Sequence, residues 1–136
     1  MTTTAETFQH ALQCHQARRL PEAEAAYRAV LAAAPGHIDA THLLGLLELQ
    51  TARPQAAAAR IAEAVALLAA SAAPPAPAHA ALHVNLGTAL NAIDRPDDAV
   101  ASYRRALSLD PACVQAHSNL GNLLEARGDL AGAIAS

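Results

Sequence analysis

Asn85 and Asn119 stand 34 residues apart, each directly before Leu-Gly, in His-Val-Asn-Leu-Gly and His-Ser-Asn-Leu-Gly. A carboxamide offers donor and acceptor together, so two of them at a regular pitch suit gripping the backbone of an extended peptide without reading its side chains. The competing reading is two asparagines on a solvated helix face. His79 and His83 have the i, i+4 spacing that places two imidazoles within reach of one metal ion, yet no carboxylate or Cys joins them nearby. His83 also recurs as His117 after 34 residues, which favours packing over chemistry, so no metal site is expected. The pairs Glu22/Glu24 and Asp97/Asp98 fall where helices begin and read as charges that offset a helix dipole. The chain contains no Gly-rich phosphate loop, nucleophile elbow or metal-protease helix. No catalytic residue and no cofactor is expected, and the chain is not expected to be an enzyme.

The elements that position these groups follow from the composition and its period. Of 136 residues, 53% are hydrophobic, 2% are aromatic, and 38 are Ala. Small side chains in that proportion favour closely packed helices over strands, which take aromatic and β-branched residues. The fold class is therefore all-α. The net charge is −3 and all nine basic residues are Arg, spread without a basic block, so neither nucleic acid nor an anionic membrane is an expected partner. Without a signal-like N-terminus or a long uncharged apolar run, the expected location is cytoplasmic. Cys14 and Cys113 make no disulfide framework, and Cys14 falls at a core position where a buried, inert thiol is expected.

Aligned against itself, the chain repeats every 34 residues. Ala11 meets Gly45, Ala23 meets Ala57, Tyr27 meets Ile61, Gly87 meets Gly121 and Ala99 meets Ala133. The middle step is 42: Gly45 to Gly87, Ala57 to Ala99 and Ile61 to Tyr103 carry eight extra residues, placed at 72–79. That segment, Ala-Ala-Pro-Pro-Ala-Pro-Ala-His, is too rich in proline to continue a helix and reads as a stiff loop. Ala11, Gly45, Gly87 and Gly121 mark one close helix crossing, and Ala23, Ala57, Ala99 and Ala133 a second. Tyr27, Ile61 and Tyr103 fill the space four positions later on the second helix. Pro21, Pro54 and Pro96 open helices, and Pro35 and Pro111 follow helix ends.

This pattern resembles the tetratricopeptide repeat family over nearly the whole chain. The repeats are placed at 4–37, 38–71 and 80–113, with a partial fourth at 114–136, in a single domain covering 4–136. The resemblance implies helix-turn-helix units stacked as an α-solenoid, a right-handed superhelix with a concave groove. The family's early Trp position holds Thr7, Thr41, His83 and His117 here, and its mid-helix Tyr position holds Cys14, Glu48, Leu90 and Leu124. The stretch from Ala116 to Ala135 is similar to repeats of the O-linked N-acetylglucosamine transferases and their bacterial relatives, in which an asparagine ladder holds the protein substrate. Asn85 and Asn119 match that ladder, while Gln9 and Leu43 occupy the equivalent earlier positions.

Carried over from the family, the groove positions are Phe8, Leu12 and His15, then His42, Leu46 and Leu49, then Val84, Thr88 and Asn91, then Ser118, Asn122 and Glu125. The lining shifts from apolar to polar along the chain and holds no basic cluster, so an extended mixed peptide suits it better than an acidic tail. The function this implies is a protein–protein interaction scaffold. The alternatives are the substrate-recruiting arm of a longer glycosyltransferase, or an assembly module in which copies meet as a homo-oligomer at the open C-terminal end.

Overall fold

The computed structural model describes residues 2–128. These form seven α-helices and, among the described residues, no strand: α1 (Thr4–Gln16), α2 (Leu20–Ala33), α3 (Ile38–Gln50), α4 (Pro54–Ala70), α5 (Ala80–Ala92), α6 (Pro96–Leu109) and α7 (Val114–Ala126). The chain divides into two compact units between Ser71 and Ala72. In the first, α1 packs on α2, α2 on α3 and α3 on α4; in the second, α5 packs on α6 and α6 on α7. The second helix expected after Gly128, with Ala133, lies outside the described residues, as does the C-terminal end at which two copies are expected to meet. No helix among the described residues is long and apolar enough to cross a membrane.

Helix boundaries follow the local chemistry. Thr3 caps α1, its Oγ1 accepting from the Glu6 amide at 3.1 Å. Pro54 and Pro96 are the first residues of α4 and α6, and Pro21 is the second of α2, where the missing amide proton costs nothing. The turns inside the hairpins share one geometry. Arg18, Ala52 and Asp94 have φ of 61–62°, and the next residue in each case, an Arg, donates its amide five residues back: Arg19 to Cys14, Arg53 to Glu48 and Arg95 to Leu90, at 2.8–2.9 Å. This is the αL closure that usually recruits glycine, and Gly128 provides it after α7 with φ 77°.

The small residues do what their spacing predicts. Ala11, Ala23, Ala57 and Ala99 have no exposed surface. A Cβ built on Gly45 would sit 2.5 Å from Ile61 Cγ1, and one on Gly87 2.7 Å from Tyr103 Cε1. The large residue four positions after each second-helix alanine thus presses on the glycine of the first helix, and only hydrogen fits there. Gly121 meets nothing within 4 Å among the described residues, since its expected partner helix falls after Gly128.

Three features depart from the sequence reading. First, the segment 72–79 is not loop throughout. After a turn in which Ala72 has φ 62°, residues 73–76 lack regular structure, and Pro77–His79 wind into a 3-10 turn leading straight into α5. The fixed φ of Pro77 suits the first position of that turn. Second, Val84 does not line a groove: it is 3% exposed, packed with Tyr103, Ala99 and Leu120 in the second unit's core. Third, Glu24 is no helix-dipole charge. It lies past the first turn of α2 and binds Arg28 at 2.9 Å and Arg53 at 2.6 Å, tying the first hairpin to the second. Beside it Glu48 is sealed from solvent, its Oε1 accepting from Arg60 Nε at 2.6 Å and its Oε2 from Arg60 Nη2 at 3.2 Å. The remaining acidic pairs also have partners: Glu22 with Arg19 at 3.6 Å, Asp97 with Arg127 at 2.7 Å and Asp98 with Arg95 at 2.8 Å.

Candidate functional site

Four of the residues singled out in the sequence come together in the second unit. Thr88 and Asn91 on α5 and Asn119 and Asn122 on α7 line a recess of about 330 Å³, with Tyr103 of α6 and Leu123 and Ala126 of α7 completing it. The helical period explains the grouping. Thr88 and Asn91, like Asn119 and Asn122, are three residues apart and so share one face of their helix. The lining contains no ionisable group other than the Tyr103 phenol.

Tyr103 is the residue that the functional reading missed. Its size and position mark it as core filling, and it is indeed only 3% exposed, but its hydroxyl reaches the recess wall. There it lies 3.0 Å from Thr88 Oγ1, with Asn119 in the same lining. Burial pushes the phenol above its ordinary pKa, and the neighbouring polar groups of Thr88 and Asn119 work against that shift. The sequence signal was the coincidence of a buried Tyr with a Thr and an Asn, where the second repeat has Ile61 and Leu46 and the first has Leu12 and Leu43.

The other predicted positions lie elsewhere. Asn85 is half-buried one turn before Thr88 on α5 and outside the recess lining. Glu125 and Ser118 are exposed on α7 and also outside it. His42, Leu46 and Leu49 belong to α3 in the first unit, all half-buried, with burial lowering the His42 pKa and Asp39 partly opposing it. His15 is engaged on both ring nitrogens: Nδ1 lies 2.8 Å from the Tyr27 hydroxyl and Nε2 2.8 Å from Gln50 Oε1. Because Gln50 Oε1 can only accept, Nε2 carries the proton of the neutral ring and Tyr27 donates to Nδ1. The Tyr27 phenol is pushed up to about 12, mainly by burial.

Among the described residues no group of three or more His, Cys, Asp and Glu side chains is placed to hold a metal ion. His83 is half-buried, and its pKa is lowered by burial and by the nearby Arg105 and His79. The exposed His117 donates from Nε2 to the Pro111 carbonyl at 2.8 Å. Cys14 is buried and Cys113 half-buried, both as free thiols.

Residues 84–136 match the model of a family described as tetratricopeptide repeat. No curated protein matches the sequence. Among solved structures the chain is similar to MamA 41-end from Desulfovibrio magneticus RS-1, with 20% identity over 97% of this chain and 70% of that one and a TM-score of 0.84. It is also similar to the first TPR of Spaghetti bound to an HSP90 peptide, with 18% identity over 92% of this chain and 93% of that one and a TM-score of 0.82. A third likeness, to a mutant of the Thermobaculum terrenum O-GlcNAc transferase, reaches 36% identity over 91% of this chain with a TM-score of 0.74. The chain spans only 23% of that enzyme's length.

Proposed function

We propose that this tetratricopeptide-repeat protein is an interaction module that holds an extended, uncharged stretch of a partner polypeptide against the α5–α7 face of its second unit. The observation that carries the reading is the lining of the recess: the Thr88 hydroxyl and the Asn91, Asn119 and Asn122 carboxamides around an apolar patch of Leu123 and Ala126. Peptide groups both donate and accept, and carboxamides match them on both counts. A charged ligand would find no counter-ion there. Arg19, Arg28, Arg53, Arg60, Arg95 and Arg127 are already paired with carboxylates, which supports a protein partner over a nucleic acid.

The test is display of random linear dodecamers against the immobilised intact chain. Enrichment of neutral peptides is expected, with affinity falling at least about fivefold in an Asn91→Ala, Asn122→Ala double variant of unchanged helicity. No enrichment, or binding that the double variant leaves intact, would count against the reading.

A second reading is favoured by the likeness to the O-GlcNAc transferase. In it the recess recruits protein substrates for a glycosyltransferase domain on the same polypeptide. Sequencing the gene past the codon for Ser136 tests this directly, and a stop codon or an unrelated domain there would remove it.

A further inference from the structure

One connection between helices differs from the rest in a way that bears on the recess. Residues 17–19, 34–37, 51–53, 93–95 and 110–113 each join two helices in three or four residues, and each includes an Arg, Asp or His. The connection from α4 to α5 is longer, and its residues 72–78, Ala-Ala-Pro-Pro-Ala-Pro-Ala, hold no ionisable side chain. All of them are exposed except the half-buried Ala76. A proline keeps the residue before it out of the helical region, which applies here to Ala73, Pro74 and Ala76; Ala76 is extended, with φ −146° and ψ 150°.

The recess suits such a stretch. At about 330 Å³ it has the volume of roughly eleven waters, too little for a helix about 10–12 Å across but enough for a few small residues of extended chain. Its lining includes the carboxamides of Asn91 and Asn122, both exposed. Prolines bring carbonyls and no N–H, so the NH2 end of a carboxamide is the partner they need. Their fixed φ also leaves little backbone freedom to lose on docking.

The segment is held away from the recess of its own chain. The Ala76 carbonyl accepts from the His79 amide at 3.0 Å, and the 3-10 turn Pro77–His79 packs on α5 and α6 and runs into Ala80, the first residue of α5. Thr88 and Asn91 belong to the opposite end of that helix, eight and eleven residues on, or about 12–17 Å along its axis. We propose that the Pro-rich segment 72–78 of one copy is the ligand of the α5–α7 recess of a second copy, with the Asn91 and Asn122 side chains donating to its carbonyls. The occupied copy still presents its own segment, so the contact is head-to-tail and propagates into open chains or closed rings. The proposal rests on the reading of the recess as a peptide site and names its occupant.

The test uses the intact chain and two variants altered only at exposed positions. Pro74→Asp with Pro75→Asp puts charge into the segment and leaves the recess as it is, and Asn91→Ala with Asn122→Ala does the converse. In sedimentation velocity the wild-type mass should rise with concentration, while each variant alone should stay monomeric. Mixed in equal amounts, the two variants should associate through the one intact recess and the one intact segment, and stop at a one-to-one complex. On the nitrogen-15-labelled wild-type chain, acetyl-Ala-Ala-Pro-Pro-Ala-Pro-Ala-amide should shift the side-chain NH2 resonances of Asn91 and Asn122. By calorimetry its affinity should be at least about fivefold lower for the recess variant. A wild-type chain that stays monomeric at every concentration, association that survives in either variant, or a mixture that remains monomeric overturns the proposal. If displayed neutral peptides bind the recess while this heptapeptide does not, the proposal falls and the peptide-site reading stands; if no peptide binds, both fall.

Discussion

Arg53, at the entry to α4, reaches back to Glu24 on α2 and donates to both carboxylate oxygens, at 2.6 Å and 3.2 Å. With help from Arg28, it holds the Glu24 carboxyl down at about 2, against a burial cost that pushes the other way. A carboxyl depressed in the folded state stabilises it above the ordinary pKa, and that contribution is lost as pH falls through the folded value. Glu24→Gln should therefore cost roughly 1–2 kcal/mol at neutral pH, less than the whole shift implies because the pair touches solvent. Urea melts of both proteins between pH 6 and pH 2 (about the range in which the contribution is lost) should converge at the acid end. A gap that stays constant would remove Arg53 as its cause.

Glu48 gives a sharper result because water does not reach it. Arg60→Ser leaves a buried carboxylate whose nearest remaining guanidinium, Arg28, is 3.9 Å away, at an expected cost of about 3–5 kcal/mol. The positions of Glu48 and Arg60 are held by Leu90 and Ser102 in the third repeat. Replacing both at once, Glu48→Leu with Arg60→Ser, should stay within about 2 kcal/mol of the wild type. Chemical denaturation that ranks the double variant below the single one contradicts this.

Backbone geometry predicts substitutions of opposite sign. Ala52 has φ 61°, so Ala52→Gly should stabilise the chain by about 0.5–1 kcal/mol. Gly87→Ala should destabilise it by roughly 1–3 kcal/mol, since the new methyl would meet the Tyr103 ring at 2.7–3.0 Å. Thermal melts of the two variants should move in opposite directions.

His83 couples stability to pH through burial rather than pairing. Its pKa is depressed first by desolvation, then by Arg105 and His79, so the unfolded chain binds the proton more readily. Stability is then full above the ordinary imidazole range and declines as pH falls below it. In His83→Gln that part of the decline should disappear, and an identical pH profile for the two proteins would show that other groups carry it.

The regular part of this molecule was legible because it depends on side-chain size. Gly45 and Gly87 recur where a methyl would collide, Pro54 and Pro96 sit where an amide is dispensable, and period alone exposes both. The polar wiring was not legible. Glu24 meets Arg53 and Glu48 meets Arg60 across separations of 29 and 12 residues that no local rule pairs. Val84 looked like a groove position because it shares a helix face with Thr88, but its side chain is taken up in the core cluster with Tyr103 and Leu120. In the candidate site, Thr88, Asn91, Asn119 and Asn122 were readable as polar positions on helix faces. The part played by Tyr103 was hidden because a buried aromatic in this register already has a sufficient reason to be there.

Each helix rests chiefly on the one just before or after it, and this bears on how the molecule is made. A chain whose partners are neighbours in sequence has short loops to close and can fold in microseconds to milliseconds. The apolar face of the α1–α2 hairpin is closed by Ala40, Leu44 and Leu47 of the very next helix, so it waits for only a few tens of residues to leave the ribosome before it is covered.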